Sequence, residues 1–161
     1  MNEPAGNDEA ETGMTFQISR LLPRWGDAED RQPGVPFWFL VAVAAISTVR
    51  SLIHLLAPDG GAHSIAGIVL EAGSGADVVA VLAQWGASQL VLAIVYWVVI
   101  LRYRMLTPLM LAIVFIEQVL RLLAGTLKPL AVALPPPGAY YTYVLLPAAA
   151  AMLVWSLRAR R

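Results

Sequence analysis

Four long apolar runs constrain this chain more than any other feature. Residues 36–56, 78–101, 107–124 and 140–157 each form a predominantly apolar stretch of 18 to 24 residues. A helix rises 1.5 Å per residue, so about 20 such residues cross a ~30 Å hydrocarbon layer. The runs predict an all-α fold, a four-transmembrane-helix antiparallel bundle built as one domain. Composition agrees: 58% of residues are hydrophobic and 14% charged, with mean hydropathy +0.67. A soluble domain carries roughly a quarter charged residues.

Local punctuation fits the same spans. Pro36 suits a first helical turn, and Pro58 follows the end of the first run. Thr107 is expected to cap the third helix, with Pro108 at its first position and Gly125 just past its end. Pro147 lies inside the fourth run and is expected to kink it. The first long loop, 58–77, opens Pro58-Asp59-Gly60-Gly61 and closes Gly73-Ser74-Gly75. Its apolar middle, residues 65–70, is expected to form a short interfacial helix. The second loop, 126–139, carries Pro135-Pro136-Pro137, which favours stiff extended backbone. Tyr140, Tyr141 and Tyr143 then stand where an interfacial aromatic belt belongs.

Charge is distributed unevenly around a formal net charge of zero. Residues 1–35 hold seven acids and three arginines. They read as an acidic tail containing a short amphipathic segment, in which Met14, Ile18, Leu21, Leu22 and Trp25 recur at helical spacing between Arg20 and Arg24. This start does not resemble a secretory signal peptide, so the first helix is expected to remain as an anchor. Arg20, Arg24 and Arg31 precede the first span, Arg102 and Arg104 lie between the second and third, and Arg158, Arg160 and Arg161 end the chain. With four crossings these groups fall on one side, opposite Lys128. The positive-inside bias places both termini, including the basic tail 158–161, in the cytoplasm.

Several chemistries are excluded. Without cysteine there is no thiolate, disulfide or cysteine–metal chemistry. His54 and His63 lie on different segments, and no metal-ligand spacing is present, so no metal or other cofactor is expected. No nucleophile, phosphate-binding or paired-carboxylate motif appears, and no catalytic residue is assigned. No strongly basic face points to nucleic acid.

The informative residues are ionisable groups inside the apolar runs, where a charge needs a partner or a function. Glu117 lies deep in the third run, with Arg121 one turn further on, the favourable order for a helical ion pair. Such a pair is either a neutralised lock between helices or part of a site. Arg50 has no acid on its own helix, and His54 lies one turn above it. Arg50, Arg121 and Glu117 together leave one positive charge, which favours an anionic guest or a compensating Asp59 or Asp77 from the first loop. By depth, Arg50, His54, Gln84, Glu117, Arg121 and Tyr140 fall in the outer half of the spans and form the candidate ligand-binding set. Gln89 and Ser88 read as interhelical glue. Ala83, Gly86 and Ala87 are small enough for close helix approach.

Two stretches read as signatures: Arg50 to His54 continuing through 58–68, and Trp85-Gly86-Ala87-Ser88-Gln89 joined to Arg102-Tyr103-Arg104. On these residues the chain resembles a group of bacterial four-helix integral membrane proteins. Its layout over roughly residues 36–157 is similar to DoxX-like families. The resemblance implies a bacterial inner membrane and a four-helix fold, and no particular reaction. Three functional readings follow. The first is a non-enzymatic protein that binds an anionic small molecule or lipid headgroup in an outer-half polar cavity. The second is an accessory subunit packing on a partner membrane protein or on further copies of itself. The third is a quinone- or proton-linked membrane enzyme using His54 and Glu117.

Overall fold

The computed structural model of the chain describes residues 21, 34–70, 75–129 and 137–158. The expected amphipathic segment apart from Leu21, the Gly73-Ser74 pair, Pro135-Pro136 and the last three residues lie outside them. Among the described residues there are four long helices and no β-strand: α1 Val35–Leu56, α2 Gly75–Arg102, α3 Thr107–Leu127 and α4 Pro137–Leu157. All four are long and apolar enough to cross a membrane, with mean hydropathies of 1.9, 1.9, 1.8 and 1.4 in chain order.

Cross-helix contacts fix an up-down-up-down topology. Thr48 bonds Trp97, Arg50 meets Gln89, and His54 stacks near Trp85, so α2 runs antiparallel to α1. Arg104, in the short 3₁₀ turn that leads into α3, lies over Phe37 near the start of α1. Arg50 in turn faces Tyr141 near the start of α4. Hence α3 is parallel to α1, and α4 antiparallel. The interfaces α1–α2 and α3–α4 are the most extensive. One end of the bundle carries the tight α2–α3 turn, and the other carries the two longer connections.

The helix boundaries differ from the expectations in ways that have local causes. Helix α3 runs through Gly125 to Leu127, because Thr126 Oγ1 donates to the Leu123 carbonyl and Lys128 N–H closes on Ala124. Thr107 does not cap α3. Its hydroxyl bonds the Arg104 carbonyl within the preceding turn, and Pro108 follows in the first helical turn. Helix α2 starts at Gly75, with Asp77 in its first turn, where a carboxylate favours the helix dipole. Helix α4 begins at Pro137 and continues past Pro147. Residues 65–70 do not form an interfacial helix. Gly67, at φ +65, takes the left-handed position that ends a helical turn, and its N–H closes on the His63 carbonyl.

The apolar core occupies the turn end. Leu40, Ala44, Leu111, Val114 and Ala149 are fully buried there, beside Phe37, Val99, Ile100 and Met110. In lipid, whose tails are as apolar as leucine, such a core would stabilise through close packing. One polar tie crosses it: Trp97 Nε1 donates to Thr48 Oγ1 at 3.1 Å, and Thr48 donates to the Ala44 carbonyl at 2.7 Å. Towards the loop end the interior changes character and becomes polar.

Candidate functional site: a cationic cluster around Trp85

At the loop end, side chains from all four helices meet around Trp85 of α2. The Arg50 guanidinium carbon, from α1, lies 5.0 Å from the Trp85 ring centroid. The Arg121 guanidinium carbon, from α3, lies at the same 5.0 Å distance. The two cations are therefore within about 10 Å of each other, held on one indole. Indole is the strongest aromatic partner for a cation, contributing about 2 kcal/mol where water is excluded. Arg50 also lies 6.0 Å from the Tyr141 ring of α4.

The two arginines have different partners. Arg121 Nη2 donates to Glu117 Oε1 at 2.7 Å, an ion pair one helical turn long, and both side chains keep 20% of their surface exposed. Arg50 has no such partner: among the described residues no carboxylate lies within ion-pair distance of it. Its hydrogen bond is a long one, 3.5 Å from Nη2 to Gln89 Oε1. Glu117 is within electrostatic range of Arg50 but bonded to Arg121. Two cations and one carboxylate leave the cluster with one positive charge inside an apolar bundle.

Unused hydrogen-bonding capacity lies on the cluster and elsewhere along its helices. Arg121 Nε, Tyr141 OH, Gln118 Oε1, Tyr96 OH and Ser51 Oγ are buried without a protein partner. Gln118 sits three residues before Arg121, on the same side of α3, and only 2% of its surface is exposed. Tyr96 and Tyr141 both lie within electrostatic range of Glu117. Orphaned buried polar atoms are uncommon, and the two on the cluster itself, Arg121 Nε and Tyr141 OH, point to a guest or ordered water.

His54 closes the cluster towards the first loop. Its ring is 4.8 Å from the Trp85 ring, tilted by 57°. Nδ1 is 2.7 Å from the Gly60 carbonyl, which only accepts, so Nδ1 carries the proton and donates. The loop that supplies this carbonyl is organised by Asp59. Asp59 Oδ2 accepts from Ser64 N–H at 2.7 Å and Oδ1 from Gly61 N–H at 2.9 Å. These amides, Ser64 first and then Gly61, hold the Asp59 carboxyl down at about 2, below the usual carboxylate value of 3.8. A carboxyl whose folded value is depressed contributes fully above its unfolded value, and the contribution fades as pH falls through the folded value. The Asp59 turn is therefore expected to persist unchanged at neutral pH and to loosen only between about pH 4 and pH 2. The Gly61 and Ser64 amide resonances report it: both are expected to titrate with a midpoint near 2. A midpoint near 4 for both would mean that these hydrogen bonds do not form.

The structure brings Arg50, His54, Glu117 and Arg121 together. It does not bring Gln84 or Tyr140 to them. Gln84 faces outward, its carbonyl accepting from Ser88 Oγ, and Tyr140 is 59% exposed. Their immediate neighbours, Trp85 on α2 and Tyr141 on α4, take those places, together with Gln89 one turn beyond Trp85. Asp59 is committed to loop amides and Asp77 to the first turn of α2, and neither pairs with Arg50. The signal that could have singled out Trp85 is its one-turn spacing to Gln89, which puts both on one stripe of α2. No protein-family model matches this chain, and no curated protein or solved structure is significantly similar to it.

Proposed function

We propose that the chain is a multi-pass inner-membrane protein that binds an anionic small molecule or lipid headgroup at the Trp85 cluster. In this reading both termini face the cytoplasm, because Arg102, Arg104 and Arg158 lie at the turn end while Lys128 lies at the loop end. The cluster then occupies the outer half of the bilayer. One observation carries the proposal: Arg50 stands beside Arg121 on a single indole, without a carboxylate of its own among the described residues. An uncompensated arginine at a span centre costs about 2.5–3.5 kcal/mol on insertion scales, and an anionic guest removes that cost. Proton-relay chemistry has less support, since the His54 Nδ1 proton is committed to Gly60 and Glu117 is bonded to Arg121.

Native mass spectrometry of the gently solubilised protein tests the reading. The wild type is expected to retain an anionic adduct, and Arg50→Ala to lose it while keeping its helical content and a cooperative melt. A wild-type protein with no adduct, or an Arg50→Ala variant that retains it, would overturn the proposal. Release of a stoichiometric partner chain in place of an adduct would favour the accessory-subunit reading.

A further inference from the structure

We infer that the guest of the Trp85 cluster is a singly charged oxyanion, a carboxylate or phosphodiester, and that Glu117 sets this preference by charge. The inference rests on the reading of the cluster as an anion site and specifies which anions it takes.

An apolar medium penalises any net charge. The cluster holds Arg50, Arg121 and Glu117, and no other charged side chain of the described residues bonds to them. Left empty, it carries one positive charge. A monoanion brings it to neutrality. A dianion such as a phosphomonoester converts a surplus of one positive charge into a surplus of one negative charge, and gains no neutralisation overall. Ion pairs in low-dielectric surroundings offset desolvation only when charge is matched and the remaining polar atoms are satisfied. Glu117 therefore works as a filter. It occupies one face of Arg121 through Nη2, leaving Arg121 Nε unbonded and Arg50 with only a 3.5 Å bond to Gln89. The donors left over are thus the remaining N–H groups of Arg50, Arg121 Nε and the Tyr141 hydroxyl, enough in number for the oxygens of one carboxylate or phosphodiester group.

Gln89 supplies a second handle on the same charge count. Its Oε1 already faces Arg50, so Gln89→Glu places a carboxylate of nearly the same shape beside the unmatched guanidinium. The cluster then becomes neutral without a guest.

Competition binding in detergent and in nanodiscs tests this. The free probes are benzoate and, at pH 8, phenyl phosphate. The lipid probes are phosphatidylglycerol and phosphatidate. Wild type is expected to prefer the monoanion of one pair by at least tenfold, and the pair that binds identifies the source as a free acid or a lipid. Glu117→Gln raises the cluster to two positive charges, and the preference is expected to shift at least tenfold towards the dianion. Gln89→Glu is expected to weaken the monoanion at least tenfold while the protein stays folded, which keeps the test decisive if Glu117→Gln fails to fold. Binding without discrimination between mono- and dianions, or a folded Gln89→Glu variant with wild-type affinity, would overturn this inference and leave anion binding standing. Failure of all four probes to bind wild type would overturn both.

Discussion

Replacing Glu117 by glutamine is expected to destabilise the bundle by about 3 kcal/mol. Removing one member of a buried pair leaves the other charge uncompensated and typically costs 3–5 kcal/mol. The lower end applies because Glu117 and Arg121 each keep 20% of their side-chain surface exposed. Glutamine can still accept a hydrogen bond from Arg121, but it leaves Arg50 and Arg121 on one indole with no carboxylate bonded to either. The double variant Glu117→Gln/Arg121→Gln restores the charge balance to that of wild type. It should recover most of the loss, with a coupling of at least about 2 kcal/mol in a double-mutant cycle. Reversible unfolding in mixed micelles measures each corner of the cycle. Additive single and double losses would show that the pair does not interact energetically, despite its 2.7 Å contact.

The same residues show how far this bundle could be read from its sequence. Hydropathy sufficed for four helices, since a run long enough to span is a property of composition along the chain. It did less well at their ends. Helix α3 continues through Gly125, because a hydroxyl and a backbone amide beyond it secure the last turn. Residues 65–70 are apolar enough for a helix, but Gly67 in the left-handed region ends the turn before one can form.

For the site, height along the bundle was legible and rotation was not. Counting 1.5 Å per residue puts Gln84 and Trp85 at nearly the same level. Which of them faces the bundle depends on how α2 is rolled against α1. A rotation of about 100° separates neighbours on a helix, so the outward-facing Gln84 and Tyr140 stand next to the inward-facing Trp85 and Tyr141. The Glu117–Arg121 pair escaped this ambiguity because both members lie on one helix at one-turn spacing. Trp85 was hidden because an aromatic in an apolar run looks like any lipid-facing side chain. Its role appears only when two arginines from other helices arrive at its ring.

Gly86 lies where α2 approaches the backbone of α1 closely. A Cβ added at Gly86 would lie 2.7 Å from His54 Cβ, 3.0 Å from the Ser51 carbonyl oxygen and 3.1 Å from Leu55 N. Two of these neighbours are backbone atoms and cannot swing aside, so the helices must separate. Gly86→Ala gains about 1 kcal/mol of helix propensity. It loses about 1–3 kcal/mol to overpacking, and a net loss is expected. Gly86→Leu is expected to disrupt the α1–α2 interface outright. Gly125→Ala is the matched control: that glycine also lies within a helix but has no atom within 4 Å of the added carbon, so the variant should be stabilised by about 1 kcal/mol. The consequences of Gly86→Ala extend beyond stability. Separation of α1 from α2 draws His54 and Arg50 away from Trp85, so anion retention should fall in the folded variant, while Gly125→Ala retains anion at the wild-type level. Melting curves and native mass spectra of the two variants give both readouts. If Gly86→Ala proved as stable as wild type and kept its adduct, the close α1–α2 approach would not be what positions the cluster.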